Sequence, residues 1–236
     1  MTETIRIEHG GQTATIRLSR PQKRNAISLG MMEELIEAFS SLAADPTVKT
    51  AIVAGDGGIF SAGWDRDELL DRDSERGRAF FATAPAFYRS IVGFPKPLIA
   101  AVDGYALGTA FDLALLSDVR VCSSGARFAH PEVKLGGVCL YTPLKDVVGA
   151  GWARELALSG RAIDSEVAER IGFVNRVVTG GSAIEAAIEI AGEMNEVPEE
   201  TLFYTKAFLW THPSPEEWLG AELDAVMSRG ITIQHA

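Results

Sequence analysis

Three short stretches of the sequence contain residue types that could do chemistry. The first places Trp64 directly after Gly63. The second contains Thr109 and Asp112, and the third contains Glu132 beside a proline. Carboxylates can move protons, and backbone N–H groups without partners can stabilise negative charge on an oxygen. The first two stretches together could therefore place free N–H donors and a carboxylate next to an oxygen that develops negative charge.

The second stretch predicts a strand, a turn and a helix. Residues 98–102 form an apolar run bounded by a proline and by an Asp-Gly pair, which is typical of a buried strand followed by a turn. Apolar residues then recur at helical spacing, and Gly108 lies where the helix should begin. Thr109 and Asp112 therefore share one side of that helix, near its unpaired first N–H groups. An acidic residue in a first helical turn is also stabilised without any catalytic role.

In the first stretch, a glycine can expose a backbone N–H group for hydrogen bonding. Residues 51–55 predict another buried strand. After a turn, Gly63 allows a backbone geometry that a Cβ would resist, and this can leave the N–H of Trp64 pointing outward. Trp64 and Thr109 are thus two candidate donors for an oxyanion hole. Glu132, taken alone, is more typical of an exposed glutamate in a turn.

As a set, the blocks at residues 59–67, 96–118 and 129–137 resemble the crotonase superfamily, the enoyl-CoA hydratase/isomerase group. The resemblance runs in one order from Ile5 to about Val178, which is most of the chain. Each block alone would be weak, whereas the three together are specific.

The resemblance implies an α/β fold with a crotonase-like spiral of short β-β-α units over residues 1–178. A C-terminal helical region over residues 179–236 would follow. In the family such helices mediate trimer contacts, so a homotrimer or a dimer of trimers is expected. The chain ends at Ala236, about one helix earlier than many relatives, which implies a more open pocket.

The resemblance also implies an enzyme that acts on an acyl-CoA thioester through an enolate, most simply by reversible hydration of a 2-enoyl-CoA. Trp64 and Thr109 would hold the thioester oxygen through their N–H groups. Glu132 would transfer the proton, and Asp112 would assist. Coenzyme A is part of the substrate, and no metal or redox cofactor is implied. The alternatives are Δ3-Δ2 enoyl-CoA isomerisation with one carboxylate and a non-catalytic acyl-CoA-binding protein.

Further substrate or CoA contacts follow from the resemblance alone. The pattern Arg-Pro-x-x-x-Asn-Ala begins at Arg20, and the matching loop lines the CoA site in the family. A basic residue there could meet the phosphates of CoA. Solvated surface charge is the alternative for Arg24, and core packing is the alternative for Tyr141. The implied contact residues are Arg24, Ala26, Ala62, Asp65, Arg66, Gly108 and Tyr141.

Departures from the family pattern bear on the activity. Thr109 and Ala110 stand in place of glycines, which leaves backbone N–H donation intact, and Asp112 stands in place of a longer glutamate. A misplacement of about 1 Å can lower a rate by on the order of a hundredfold, so Asp112 could place water poorly or serve a different geometry. Residues 138–142 replace a glycine-rich segment.

Composition argues against several functional classes. The 236 residues are 47% hydrophobic and 23% charged, as in ordinary globular proteins. The net charge of −10 argues against binding to nucleic acid or to an anionic membrane. Cys122 and Cys139 suggest no disulfide framework, and the four histidines show no metal-ligand spacing. The sequence shows no signal-peptide pattern and no membrane-length apolar run, so a cytoplasmic enzyme is expected.

The remaining elements are predicted from periodicity and capping. Alternation predicts a hairpin over residues 5–18, and amphipathic spacing after Ser28 predicts a helix. Dense mixed charge predicts an exposed, mobile segment at residues 65–78, which in the family forms a variable wall of the acyl pocket. An aromatic-rich helix is expected over residues 80–91. Later helix boundaries are predicted at Gly160, Asp164 and Ser182.

Overall fold

The computed structural model describes residues 3–209 and 219–220, in which helices surround two sheets. The strands of this part are β1 Ile5–Gly10, β2 Thr13–Leu18, β3 Thr50–Gly55, β4 Leu98–Val102, β5 Tyr105–Leu107, β6 Val119–Ser123, β7 Arg127–Ala129, β8 Ile163–Asp164 and β9 Arg176–Val178. The α-helices are α1 Leu29–Ala44, α2 Arg66–Leu70, α3 Glu75–Val92, α4 Thr109–Leu115, α5 Tyr141–Ser159, α6 Ser165–Arg170, α7 Ala183–Asn195 and α8 Glu199–Leu209. Short 3-10 helices occupy Pro21–Lys23 and Pro131–Leu135.

The larger sheet has the strand order β1-β2-β3-β4-β6-β9. Its β1–β2 pair is antiparallel and is the hairpin that alternation predicts, with Ile5 opposite Leu18. The other neighbouring pairs of this sheet are parallel. In the smaller sheet, β5 pairs with β7 in parallel and β8 joins β7 antiparallel. The predicted α/β fold class is confirmed.

The central strands β3 and β4 are covered on both faces. Ala51 and Val53 face the main core with α1 and α3, whereas Ile52 and Ala54 face a second cluster that includes α7. Strands covered on both faces have continuous apolar sequences rather than alternating ones. This is why an uninterrupted apolar run at residues 98–102 predicts β4 with the correct bounds.

Most predicted helix boundaries are confirmed by hydrogen bonds. The Ser28 hydroxyl accepts from the Met31 N–H at the start of α1, and the Asp164 carboxylate accepts from the Val167 N–H at the start of α6. The α5 helix ends at Gly160, whose φ of 58° lies in the left-handed region. At α7 the cap is shared, because Asp103 accepts from the Ala183 N–H and from the hydroxyl of the predicted cap Ser182.

The charged segment at residues 65–78 has more regular structure than its composition suggests. Many of its charged residues are exposed, as predicted, but it contains α2 and the first turn of α3. The Ser74 hydroxyl caps α3 by accepting from the Gly77 N–H at 2.9 Å. The apolar residues of these helices therefore occupy defined positions beside the site.

The predicted C-terminal helical region is present as α7 and α8 up to Leu209. Apart from residues 219–220, the remainder of the chain lies outside the described residues, and so does the predicted effect of the chain end on the pocket. Lys206 on α8 is buried and forms an ion pair with Asp118 at 2.5 Å. Asp118 lies between the end of α4 and the start of β6, so the ion pair attaches α8 to this connection. Among the described helices, none combines the length and the apolar character needed to cross a membrane.

Candidate active site

The two predicted glycine turns lie side by side. Ser61 donates its N–H to the Tyr105 carbonyl, and its own carbonyl accepts from the Leu107 N–H, so the first turn pairs along β5. Gly63 has φ +85°, and a Cβ at this position would lie 2.3 Å from the Leu107 carbonyl oxygen and 3.5 Å from the Thr109 nitrogen. A glycine is required here because both the conformation and the close approach exclude a side chain.

The two candidate oxyanion donors are free of partners within the described residues. Gly63 donates to the Ser61 hydroxyl, Asp65 to the Ile27 carbonyl and Gly108 to the Ala129 carbonyl. In contrast, the N–H groups of Trp64 and Thr109 form no hydrogen bond in this part of the chain. Thr109 is the first residue of α4, where a free N–H is expected from helix geometry. The positive end of the helix also favours a negative oxygen there.

The Trp64 side chain supports this arrangement from behind. Its ring packs against three aromatic rings of α3, with centroid distances of 5.0 Å to Phe80, 6.0 Å to Phe87 and 6.1 Å to Tyr88. The predicted aromatic helix over residues 80–91 is thus confirmed within α3. One of its faces fixes the turn that carries the first donor.

Asp112 lies in a buried hydrogen-bond network. Its Oδ2 accepts from the Tyr88 hydroxyl at 2.7 Å, and its Oδ1 lies 2.9 Å from Nε2 of His130. The exposed fractions are 0% for Tyr88, 3% for Asp112 and 2% for His130. The Tyr88 oxygen is also 3.4 Å from the Thr109 hydroxyl oxygen. Through Tyr88, the network therefore connects Asp112 to the residue that carries the second donor.

Glu132 lies on the second 3-10 helix and points back towards the start of α4. A Cβ at Gly108 would lie 3.1 Å from Oε2 of Glu132, and a Cβ at Gly137 would lie 3.0 Å from its Cβ. Two glycines thus make room for this side chain. Burial raises the pKa of Glu132 to about 7, the imidazole of His130 opposes the rise, and the Asp112 carboxylate adds to it. A group with this pKa can accept and release a proton near neutral pH.

These groups line one cavity whose remaining wall is mainly apolar. Trp64, Thr109, Asp112 and Glu132 all contribute to it, and so does Tyr88. The apolar part of the wall includes Leu69, Leu70, Phe81, Leu135 and Val138. Such a cavity, with a few polar groups converging in an apolar surface, is typical of sites for small ligands.

Three of the implied contact residues line this cavity, namely Ala62, Gly108 and Arg66. Arg24 is exposed, and its carbonyl accepts from the Ala62 N–H at 3.0 Å, so its backbone is next to the site while its side chain lies outside the cavity.

The other three implied contact residues, Asp65, Ala26 and Tyr141, are packed within the protein and lie outside the cavity wall. Asp65 is buried, caps α2 by accepting from the Asp67 N–H and forms an ion pair with Arg20 at 2.9 Å. Ala26 is buried, and Tyr141 begins α5 and packs against the core. None of the three lines the cavity. The contacts of Tyr88 and His130 with Asp112 have no sequence signal, although His130 lies only two residues before Glu132.

The chain belongs to the enoyl-CoA hydratase/isomerase family, because the sequence model of that family matches residues 8–232. It is therefore an enzyme of the crotonase superfamily, as the motifs predict.

Individual relatives are named as hydratases and dehydratases. The chain is 34% identical over 197 residues to a 2,3-dehydroadipyl-CoA hydratase of Escherichia coli, covering 82% of this chain and 76% of the relative. It is 37% identical over 208 residues to a carnitinyl-CoA dehydratase of Salmonella typhi, covering 84% and 77%.

The fold is similar to those of solved family members. An enoyl-CoA hydratase/isomerase from Xanthobacter autotrophicus superposes with a TM-score of 0.87 at 30% identity, covering 97% of this chain and 87% of that one.

Proposed function

We propose that the protein reversibly hydrates a 2-enoyl-CoA through an enolate whose oxygen accepts hydrogen bonds from the Trp64 and Thr109 N–H groups. The observation that carries the proposal is that these two residues, whose N–H groups are unpartnered in the described part of the chain, line the same cavity as Glu132. Family membership and the hydratase names of relatives support the same class of reaction. Coenzyme A enters as part of the substrate, and the steps below require no metal or redox group.

The two N–H groups stabilise the charge that proton transfer creates. Removing or adding a proton next to a thioester carbonyl places negative charge on the carbonyl oxygen. Donors aimed at this oxygen act where the charge develops, and losing one of them typically costs roughly 3 to 4 kcal/mol of transition-state stabilisation. Because both donors are backbone groups in packed turns, they need little reorganisation during the reaction.

Glu132 carries the proton in both directions. In dehydration, its carboxylate takes the α proton of a 3-hydroxyacyl thioester and returns it to the departing β-hydroxyl, which leaves as water. In hydration, the carboxylate takes a proton from water as the water oxygen bonds to the β carbon, and the proton is then delivered to the α carbon. No proton is gained or lost overall, and a pKa of about 7 suits both halves of the cycle.

Asp112 assists by holding the water. A carboxylate oxygen has two acceptor sites, and the donors from Tyr88 and His130 use one site on each oxygen. Because the Asp112 side chain lines the cavity, a remaining site can accept a hydrogen bond from the water that adds to the β carbon.

Isomerisation of a Δ3- to a Δ2-enoyl-CoA is the second candidate, and one observation favours it. Both oxygens of Asp112 already accept hydrogen bonds, which leaves Glu132 as the less constrained of these two carboxylates. One carboxylate can carry a proton from the α carbon to the γ carbon without water. Asp112→Asn separates the two reactions, since hydration should lose most of its rate and isomerisation should keep it.

A panel of short and medium 2-enoyl-CoA thioesters tests the proposal. The wild type should hydrate at least one of them, and Glu132→Gln should lower kcat by on the order of 100-fold to 10,000-fold because the proton carrier is removed. Glu193→Gln, at an exposed position on α7, is the matched control and should keep the wild-type rate. A Glu132→Gln variant with full activity would contradict the assignment. Tight binding of CoA thioesters without turnover would instead indicate a non-catalytic binding protein.

We also propose the homotrimer, or dimer of trimers, that is expected for the family. The α8 helix supports association because several large side chains are exposed there: Phe203, Tyr204 and Leu209. Contiguous exposed apolar surface commonly marks an interface. Size-exclusion chromatography with light scattering tests this, and a monomer at micromolar concentration would contradict it.

A further inference from the structure

The site contains two polar side chains to which the proposed reaction assigns no step, Tyr88 and His130. Both are buried, and each contacts one oxygen of Asp112, at 2.7 Å and 2.9 Å respectively. They come from different parts of the chain, α3 and the segment after β7, and they approach the same carboxylate. A carboxylate held on both oxygens by separate elements has little freedom to rotate.

Tyr88 and His130 must both be donors in these contacts, because an ionised carboxylate only accepts hydrogen bonds. Burial, together with the charge of Asp112, raises the pKa of Tyr88 well above its ordinary value, so its hydroxyl stays protonated. The imidazole can keep a proton on Nε2 whether it is neutral or charged. Both donors therefore persist across the pH range in which the site would work.

The rings of Tyr88 and His130 are themselves held in place by packing against other aromatic rings. The His130 ring lies 4.3 Å from the Phe111 ring, and the Tyr88 ring lies 5.5 Å from Phe87 and 6.1 Å from Trp64, centroid to centroid. The other imidazole nitrogen, Nδ1, is buried and has no hydrogen-bond partner among the described residues. Leaving a buried polar atom unpaired is destabilising. The polar contact that His130 makes here is thus the one to Asp112.

We propose that Tyr88 and His130 are positioning residues, which hold the Asp112 carboxylate in one orientation so that it places the adding water over the β carbon. This inference rests on the proposed hydration reaction. It also accounts for an aspartate at a position where a longer side chain is usual in the family. The shorter side chain is compensated by two donors that fix where its oxygens lie.

The first test compares variants that remove or keep each donor. Tyr88→Phe deletes only the hydroxyl, and His130→Leu deletes the Nε2 donor while keeping an apolar side chain of similar bulk. Each should lower kcat for hydration by about 10-fold to 100-fold, because a mislaid water slows the reaction, while KM stays within about twofold. His130→Gln restores an N–H donor near the place of Nε2 and should recover most of the lost rate.

Two matched controls make the same chemical changes at exposed positions. Tyr105→Phe removes a hydroxyl on β5, and His9→Leu replaces an exposed imidazole on β1 by the same residue as His130→Leu. Both should keep the wild-type kcat. If they do, losses in the Tyr88 and His130 variants belong to the contacts with Asp112.

A second readout does not depend on turnover. Proton–nitrogen NMR of protein labelled in its histidines should show one protected, downfield imidazole N–H. This signal should be absent in His130→Gln, shifted in Asp112→Asn and unchanged in His9→Gln. It reports the hydrogen bond to Asp112, which a merely space-filling ring would not make.

The outcomes separate the positioning role from the reaction itself. Wild-type kcat in His130→Leu or Tyr88→Phe would overturn the positioning role, and so would a loss in His130→Leu that His130→Gln does not restore. If His130→Leu fails to fold, Tyr88→Phe and the NMR signal decide. A wild type that hydrates no enoyl-CoA would overturn the proposed function, and the positioning role with it, even with the NMR signal present.

Discussion

The two sides of the cavity are built by different means. The oxyanion side consists of two backbone N–H groups, at Trp64 and Thr109, in turns shaped by glycines next to them in sequence. The acid side consists of side chains from α3, α4 and the second 3-10 helix, which are far apart in sequence and meet only in the folded chain. One side therefore presents backbone groups to the cavity, and the other presents side chains.

This difference predicts opposite sensitivities. On the oxyanion side a side chain acts only through the position of the backbone N–H, as the Trp64 ring does by packing against α3. On the acid side the backbone matters less than the identity of each side chain, since removing one donor or acceptor leaves a buried partner unsatisfied. A substitution that changes a side chain but keeps the backbone N–H in place should therefore have a small effect on the oxyanion side and a large effect on the acid side.

Among the changes to the oxyanion side, the largest effect is expected when the Thr109 N–H is removed. Thr109→Pro deletes this donor at the first position of α4, where proline is well tolerated by helices. We expect kcat to fall by about 100-fold to 1,000-fold, as for other oxyanion donors. Steady-state kinetics measure this, and circular dichroism should show an unchanged fold. A folded Thr109→Pro variant with near wild-type kcat would show that this N–H holds no oxyanion.

The pH dependence tests the acid side. Glu132 must begin the cycle as a carboxylate, and burial raises its pKa to about 7, with His130 opposing and Asp112 adding to the rise. The carboxylate fraction increases as pH rises through this value. Hence kcat/KM should fall by about tenfold per pH unit below about 7 and reach a plateau above it. Hydration and dehydration should give the same profile, because the reaction exchanges no net proton.

A control assigns this pH dependence to Glu132. The residual kcat/KM of Glu132→Gln should no longer fall as the pH is lowered below about 7. The kcat/KM of Glu193→Gln should fall there as it does in the wild type. A profile that instead falls as pH rises above 7 would show that Glu132 enters the reaction protonated, and would contradict the proton path proposed above.

The same contrast explains what the sequence could predict. The oxyanion turns, β4, the start of α4 and the family are recognisable from Gly63, Gly108 and the apolar run between Pro97 and Asp103, because these signals are local. The hydrogen-bonded group around Asp112 is not recognisable in that way. Its members lie on three segments, and a tyrosine in an amphipathic helix is indistinguishable from a core residue until the helices pack.

The structural roles of Asp65 and Ala26 also could not be predicted from the sequence, because they depend on a hydrogen-bond partner that only the fold reveals. The resemblance places these residues in loops that border CoA. The predicted CoA contacts stay predictions, and Arg20 in addition binds both residues, donating to the Ala26 carbonyl at 2.6 Å and to the Asp65 carboxylate at 2.9 Å. They hold the first glycine turn in place. This role is visible only once Arg20 is known to be the hydrogen-bond partner of both residues.

A smaller loss of activity, with a loss of stability, is expected at Gly63. In Gly63→Ala the new Cβ would meet the Leu107 carbonyl oxygen at 2.3 Å, and alanine would be strained at φ +85°. We expect kcat to fall by at least about tenfold and the free energy of unfolding to fall by about 1 to 3 kcal/mol.

Gly58→Ala is the matched control, because Gly58 has φ +72° but no atom within 4 Å of its Cβ position. Urea unfolding and kinetics of both variants separate the strain that they share from the clash that only Gly63→Ala produces. Equal stability losses and equal kcat values in the two variants would mean that the contact with Leu107 has no effect on the site.

The smallest effect is expected for Thr109→Ala, which keeps the backbone N–H and removes only the hydroxyl. This hydroxyl oxygen is 3.4 Å from the Tyr88 oxygen, a weak contact beside the 2.7 Å bond from Tyr88 to Asp112. Alanine also suits a helix, so α4 should begin at the same residue. We expect kcat within about threefold of wild type, because only interactions that strengthen in the transition state change it. If Thr109→Ala lost as much activity as Thr109→Pro, the hydroxyl would be the group that matters, and the oxyanion side would depend on side chains just as the acid side does.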